Sequence, residues 1–134
     1  MMEDIAAFFA GRPWEEALFR EVAGWILEKW PRTEVRVQKT QLSFREVRTF
    51  AAVWLPPRKG IKGRPERYLI LTLVLDRALE GPEILEAYPL ERGACANHIL
   101  LTSLTDLEGP VLEWLEESRA RSSRGKGRSY GISE

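Results

Sequence analysis

In the stretch Thr33–Trp54, "TEVRVQKTQLSFREVRTFAAVW", apolar and polar residues alternate on either side of a break at Gln38-Lys39-Thr40-Gln41. Val35 and Val37 alternate with charged residues, which is typical of a strand with one solvated face. Leu42 and Phe44 continue the alternation in a second strand, and the connection between the two strands is too short for a parallel crossover. The stretch therefore predicts antiparallel strands joined by tight turns.

The segment before this stretch has helical rather than alternating periodicity. Its apolar residues recur three and four positions apart, beginning at Trp14. Pro13 suits the first helical position and Pro31 prevents the helix from continuing. Near the other end of the chain, apolar residues at helical spacing predict a second long helix from Pro110. Each terminal region of the domain is thus expected to be a helix.

Later strands complete the predicted sheet. The third strand ends at Pro56, and Tyr68–Leu75 is apolar throughout, as is typical of a central strand buried on both faces. Residues 97–103 predict a fifth strand, and the irregular segment before it is expected to hold one helical turn around residues 83–87. The prediction is an α+β two-layer sandwich, with an antiparallel sheet of about five strands and an N-terminal and a C-terminal helix packed on one face.

Domain organisation follows from where this periodicity ends. Residues 1–120 are expected to form a single α+β domain. Residues 121–134 are rich in arginine, glycine and serine without apolar periodicity, which predicts a basic, disordered tail.

Composition excludes several classes of function. The 134 residues contain one cysteine, Cys95, and one histidine, His98, so neither an internal disulfide nor a four-ligand zinc site can form. The longest apolar runs are far shorter than the ~20 residues of a membrane span. In a signal peptide, basic residues precede the apolar stretch. No basic residues precede the first apolar stretch of this chain. These features predict a cytoplasmic protein that does not associate with membranes, and no cofactor is implied.

Charge is distributed in blocks although the net charge is zero. Counting Lys and Arg against Asp and Glu, residues 31–68 carry 10 basic and 3 acidic side chains, and residues 69–117 carry 2 basic and 10 acidic. Such blocks either compensate each other across the fold or present separate charged faces. Mutual compensation on a solvated surface is the simpler expectation.

Several of these segments resemble a bacterial family known as domain of unknown function 5655. The similarity rests on "VRVQKTQLSFREVRTFAAVW", on "NHILLTS" and on a later helix containing "LEWLEES", and it extends from about Phe8 to Ala120. The chain departs from the family at its end, where "SRARSSRGKG" replaces a longer helix. The resemblance implies an architecture distantly similar to frataxin-like α+β domains, and an accessory or binding role rather than a known activity.

The candidate ligand site lies on the polar side of the first two strands. Lysine, hydroxyl and guanidinium groups together can hold a phosphate or carboxylate through charge-assisted hydrogen bonds. This prediction favours a non-catalytic module that binds an anionic ligand or a protein partner, and it leaves a homodimer open. A turn whose hydroxyls satisfy local backbone groups is the structural alternative. The candidate residues are Arg36, Lys39, Thr40, Ser43, Arg45 and His98.

Catalysis would depend on His98, the only side chain expected to titrate near neutral pH. A general base needs a nucleophile such as Ser43 or Ser103 within hydrogen-bond reach. Cys95 is three residues away, so the two side chains should point to opposite faces of a strand. The sequence therefore favours binding over catalysis.

Nucleic acid is the alternative partner. The glycine- and proline-rich segment 57–67 is expected to be an exposed loop, and together with the basic tail it could contact phosphates. A sequence pI near 6.6 argues against a dedicated nucleic-acid-binding protein. The acidic residues of segment 80–108 lack the spacing of a metal-binding loop, so no metal site is predicted. The basic residues of the loop are Arg58, Lys59, Lys62, Arg64 and Arg67.

Overall fold

The computed structural model describes residues 2–124 and confirms the α+β architecture, with one antiparallel sheet of six strands and three helices. Neighbouring strands pair in the order β1-β2-β3-β4-β6-β5. Each pair of neighbouring strands is antiparallel, as the short connections between the early strands predict. The elements are α1 Met2–Phe8, α2 Pro13–Lys29, β1 Glu34–Val37, β2 Leu42–Arg45, β3 Thr49–Trp54, β4 Leu69–Leu75, β5 Ile84–Pro89, β6 Cys95–Leu101 and α3 Pro110–Arg124.

Helix α2 begins and ends where its prolines and charges dictate. Pro13 occupies the first turn, where its missing N–H costs no hydrogen bond. Acidic residues in the first turn and Lys29 in the last turn complement the helix dipole. The backbone N–H of Trp30 donates to the carbonyl of Ile26 and closes the helix. No helix within residues 2–124 combines the length and the apolar character needed to cross a membrane.

All three helices pack against the same face of the sheet. The odd-numbered residues of β4 are leucines that are fully buried in one core with residues of α1, α2 and α3. Burying a side chain of this size stabilises the fold by roughly 1.5–3 kcal/mol. This face of the sheet holds the main hydrophobic core.

Ser118 anchors α3 to the sheet with a polar contact inside this core. Its hydroxyl donates to the carbonyl of Phe50 at 2.7 Å, and the carbonyl of Val74 lies 3.4 Å away. Ser118 is only 2% exposed, so the Phe50 carbonyl has no easy route to solvent. The hydroxyl therefore satisfies a buried acceptor where α3 crosses β3 and β4.

The predicted helical turn around residues 83–87 is wrong, because this segment forms the edge strand β5. Ile84 pairs with Ile99 and Ala87 pairs with Asn97 across an antiparallel ladder with β6. The segment looked irregular in the sequence, because cross-strand pairing decides the conformation of so short a segment. Pro89 is tolerated because an edge strand has one side without ladder partners.

Helix α3 continues four residues into the predicted tail. Arg121 lies 2.9 Å from the carboxylate of Asp76, and Arg48 donates to the carbonyl of Ser122 at 3.2 Å. These contacts tie the last turns of the helix to the sheet. The rest of the predicted tail, residues 125–134, lies outside the described residues.

Three ion pairs involve residues of helix α3. Arg119 pairs with Glu46 at 2.9 Å, and Arg77 pairs with Glu117 at 2.8 Å. With Arg121 and Asp76, they link α3 to the turns of the sheet. Pairs of this kind contribute little stability each, and of the three only Arg121–Asp76 joins a net basic block to the net acidic block.

Candidate functional site

The face of the sheet opposite the helices carries one continuous row of side chains. Strand pairing aligns Ser43, Ala52, Thr72, His98 and Glu86 across five neighbouring strands. Because side chains alternate between faces, this row points away from the buried leucines of β4. We call this surface the open face.

The open face is unusually apolar around its centre. An antiparallel sheet with helices on one side normally presents polar side chains on the other. Here Trp54, Ile70 and Leu100 occupy open-face positions in neighbouring strands and are only partly buried. The surface is therefore suited to contact with an apolar group.

A cavity of about 380 Å³ lies over this apolar region, and we call it the open-face groove. Its volume is within the usual range of small-molecule sites. Leu85, the extra residue of a β-bulge in β5, lines one side, and Pro57 lines the end where the chain leaves β3. Its lining also includes Trp54, Arg64, Ile70, Glu86, Tyr88 and His98.

His98 is held in the groove by two neighbours. The hydroxyl of Thr72 lies 2.6 Å from its Nδ1, and the ring of Tyr88 lies 5.4 Å from its ring, centroid to centroid. Burial lowers the pKa of His98 below its usual value of 6.5; the carboxylate of Glu86 opposes this shift and Arg64 reinforces it. The neutral imidazole is therefore favoured, with Nε2 as the ring nitrogen left for a ligand.

The Thr72–His98 pair has the distance of a nucleophile and its general base, but not the access. Thr72 is only 1% exposed, because it lies in the sheet between Ala52 and His98. A substrate carbonyl could not reach its hydroxyl without moving the strands. The pair is better suited to orienting the imidazole than to attacking a substrate. Cys95 cannot join it, since it pairs with Leu75 on the opposite face.

The groove carries opposite charges on different elements. Arg64 comes from the loop before β4, and its Nη1 donates to the hydroxyl of Tyr68 at 3.1 Å. A guanidinium has five N–H donors, so most of its donor capacity remains for other acceptors. Glu86, on the edge strand β5, supplies only acceptor oxygens. The groove can therefore distinguish the two ends of a polar ligand.

Trp54 adds an unsatisfied donor to the groove lining. Its indole Nε1 is buried and finds no hydrogen-bond acceptor among the described residues. A buried donor without an acceptor costs roughly 1–3 kcal/mol. This cost would be recovered if a bound molecule placed an acceptor beside the N–H after a small ring movement.

The early-strand candidates do not gather into one site. Lys39 and Thr40 are exposed in the turn between β1 and β2. Ser43 is fully buried: its hydroxyl donates to Gln38 Oε1 at 2.6 Å and accepts from Gln41 Nε2 at 3.0 Å. Its hydrogen-bonding capacity is therefore used within the turn.

His98 is far from this turn. Three strand spacings separate β2 from β6, which amounts to about 14 Å. Arg36 stands opposite Ser43 in β1, and Arg45 lies at the far end of β2. The predicted cluster thus divides into the β1–β2 corner and the groove around His98.

The basic loop behaves as predicted in one respect, since residues 57–67 connect β3 to β4 and are mostly exposed. Arg64 differs from the other bases of the loop because it is partly buried and lines the groove. Lys59 and Lys62 are exposed at the surface. The sequence identified Arg64 as a candidate but grouped it with a nucleic-acid surface rather than with His98.

Sequence reasoning missed Trp54, Glu86 and Tyr88 as site residues. The parity of Trp54 within β3 was a usable signal, because it puts a large aromatic ring on the face that should be polar. Glu86 and Tyr88 could not be assigned to this face while their segment was predicted to be a helical turn. Because β5 was not predicted as a strand, the side of the groove that Glu86 and Tyr88 form could not be predicted either.

A second cavity, of about 410 Å³, lies where the start of α2 meets the basic loop. Arg12 lines it but is already engaged, 3.4 Å from the carboxylate of Glu15 and donating to the carbonyl of Pro56 at 3.2 Å. Arg58 and Glu66 bring opposite charges to its rim. With Arg67 also in the lining, the cavity carries three basic and two acidic side chains.

No three His, Cys, Asp or Glu side chains within residues 4–124 come together as a metal site would require.

Comparison of the chain with protein-family models, with curated proteins and with solved structures found no match. The similarity to domain of unknown function 5655 therefore stays a prediction from the sequence.

Proposed function

We propose that the protein is a small, non-catalytic binding module whose open-face groove takes an amphipathic anion. The observation that carries this proposal is the presence of Arg64 beside an aromatic and aliphatic surface on the solvated side of the sheet. A ligand with an apolar body and one negatively charged group fits both features.

The apolar body is supported by the lining of the groove. Trp54, Ile70 and Tyr88 offer flat or aliphatic surface, and Tyr88 remains 37% exposed. Covering this surface removes apolar area from water, which favours binding by roughly 25 cal/mol per Å² before the costs of association.

The anionic group is supported by Arg64, which can form charge-assisted hydrogen bonds to a carboxylate or phosphate. His98 is neutral by preference, so it offers a hydrogen bond at Nε2 rather than a second positive charge. The indole N–H of Trp54 is a further donor for such a ligand.

A binding role is favoured over catalysis because the only close hydroxyl–imidazole pair in the groove is inaccessible at Thr72. The single half-buried cysteine is compatible with a reducing compartment, and we expect the module to act in the cytoplasm.

The exposed turn at Lys39 remains a second surface, suited to a protein partner with acidic residues. It is a weaker candidate for a small ligand, because the hydroxyl of Ser43 behind it is already engaged. Neither Lys39 nor Arg45 lines the groove, so substitutions can test the two surfaces separately.

Titration followed by NMR tests the proposal. The probes are 1-naphthoate and octanoate, with uncharged 1-naphthalenemethanol for comparison. We expect 1-naphthoate to shift the indole N–H signal of Trp54 and the ring signals of His98, and to bind about tenfold more tightly than the neutral compound. Trp54→Phe identifies the indole signal.

Paired variants locate the site. Arg64→Gln should weaken 1-naphthoate binding about tenfold, whereas Lys39→Ala combined with Arg45→Ala should leave it unchanged. The proposal is wrong if neither anion shifts the signals of Trp54 and His98. It is also wrong if the double variant loses binding while Arg64→Gln retains it.

A further inference from the structure

We infer that the anion taken by the open-face groove is a nucleoside 5′-phosphate. This inference rests on the proposed function and names its ligand class. It is carried by the joint placement of aromatic faces, an acceptor carboxylate and a basic loop around one cavity.

The aromatic faces are suited to a nucleobase. Trp54, Tyr88 and His98 all line the groove, and the rings of Tyr88 and His98 are in contact. Stacking of a base on an aromatic side chain is worth roughly 1–3 kcal/mol and depends little on which base is present. A planar heteroaromatic ring uses these surfaces better than a flexible alkyl chain does.

Glu86 favours a ligand that carries hydrogen-bond donors in addition to its anionic group. Its carboxylate has only acceptors, so it gains nothing from a hydrocarbon. The edge of a nucleobase carries amino or ring N–H groups that can donate hydrogen bonds to a carboxylate. His98 Nε2 adds a second polar group for the same edge, because Nδ1 is engaged with Thr72.

The phosphate is expected beside Arg64. Arg64 lines the groove and is part of a loop with five basic residues and one acidic residue, Glu66. A phosphate monoester carries about −1.5 to −2 charges near neutral pH, so it responds strongly to this local excess of positive charge. The base thus meets aromatic rings and hydrogen-bond acceptors, and the phosphate meets a guanidinium group.

The distribution of charge favours a free nucleotide over a longer strand. Acidic side chains lie around β5: Glu86 lines the groove, and Glu83 and Glu91 flank the strand. A polynucleotide continuing across the sheet would bring its phosphates against these carboxylates. A single nucleotide keeps its only phosphate at the basic end.

Calorimetric titration of the full chain tests this inference. The probes are adenosine 5′-monophosphate, its two halves adenosine and ribose 5-phosphate, and a short oligoadenylate. We expect the nucleotide to bind at least about tenfold more tightly than either half. The oligoadenylate should bind no more tightly than the mononucleotide.

Variants separate the contribution of the phosphate to binding from the contribution of the base. Arg64→Gln should reduce affinity for the nucleotide to that for adenosine. Tyr88→Ala should weaken binding of the nucleotide and adenosine but not of ribose 5-phosphate, and its exposed position on an edge strand keeps the core intact. Arg32→Gln, at an exposed turn outside the groove, should change nothing.

Failure of this inference is distinguishable from failure of the proposed function. The nucleotide assignment is overturned if ribose 5-phosphate binds as tightly as the nucleotide, or if the oligoadenylate binds at least tenfold more tightly. It is also overturned if 1-naphthoate binds and the nucleotide does not, and in that case the proposed function stands. Absence of binding by both overturns both.

Discussion

The hydroxyl of Thr72 and Nδ1 of His98 lie 2.6 Å apart, across the ladder that joins the neighbouring strands β4 and β6. Thr72 is buried in the sheet and His98 stands at the edge of the open-face groove. This hydrogen bond fixes one imidazole nitrogen inside the protein and leaves the other for the groove. The contact therefore links sheet packing to the recognition of a ligand.

Stability should depend on the protonation of His98. Burial lowers its pKa in the folded state, so the unfolded chain takes up a proton first as the pH falls. The free energy of unfolding should be constant above the unfolded pKa of about 6.5 and should decrease below it, by at most about 1.4 kcal/mol per pH unit. Urea unfolding at several pH values measures this slope.

The matched variant for this prediction is His98→Gln, which keeps a polar side chain but does not titrate. This variant should reduce the pH dependence of the free energy of unfolding just below pH 6.5. Glu86 raises the pKa and Arg64 lowers it, so neutralising Glu86 with Glu86→Gln should steepen the dependence. An identical slope in His98→Gln and the wild type would contradict the assignment.

The hydrogen bond itself can be tested at Thr72. Thr72→Val preserves the shape of the side chain but removes the hydroxyl, and it should lower the free energy of unfolding by about 1 kcal/mol. Thr72→Ser keeps the hydroxyl and should also preserve the NMR signals of the His98 ring. If the imidazole signals of Thr72→Val match those of the wild type, the hydroxyl does not orient the ring.

The β1–β2 corner should be a structural feature. Ser43→Ala breaks a buried hydrogen-bonded set with Gln38 and Gln41, and should cost about 1 kcal/mol of stability. Binding of 1-naphthoate should not change. The control is Thr40→Ala in the exposed turn, with an expected effect within about 0.5 kcal/mol. Loss of ligand binding in Ser43→Ala at unchanged stability would move the site to this corner.

Helix α3 should depend on the hydroxyl of Ser118. Ser118→Ala leaves the buried carbonyl of Phe50 without its donor, and should lower the free energy of unfolding by roughly 1–3 kcal/mol. Ser123→Ala removes an exposed hydroxyl that bonds only within its own helix, so it should stay within about 0.5 kcal/mol. Equal effects in thermal or urea unfolding would rule out the anchoring role.

The fold could be predicted where the apolar pattern matches one type of element over several turns or strands. The alternation around Val35 and Phe44 and the prolines at the start of α2 and α3 each specify local structure with little competition. The segment 84–89 could not be read in this way. Its conformation depends on pairing with β6, which its own residues do not encode.

The candidate site could be predicted only in part, because its residues are far apart in the sequence. Ser43 and Lys39 are near each other along the chain, and the sequence presents them as a cluster. The groove instead joins Trp54, Arg64 and His98, which come from distant parts of the chain and meet because β4 lies between β3 and β6. Strand order, and therefore this meeting, is a property of the whole sheet.

The most direct test of the central claim is the position of a bound anion on the sheet. Intermolecular nuclear Overhauser effects between the ring protons of 1-naphthoate and the protein measure this position. We expect contacts to Trp54, Ile70 and Tyr88 on the open face. Contacts to the turn at Lys39 and Thr40, with none to the open face, would contradict it.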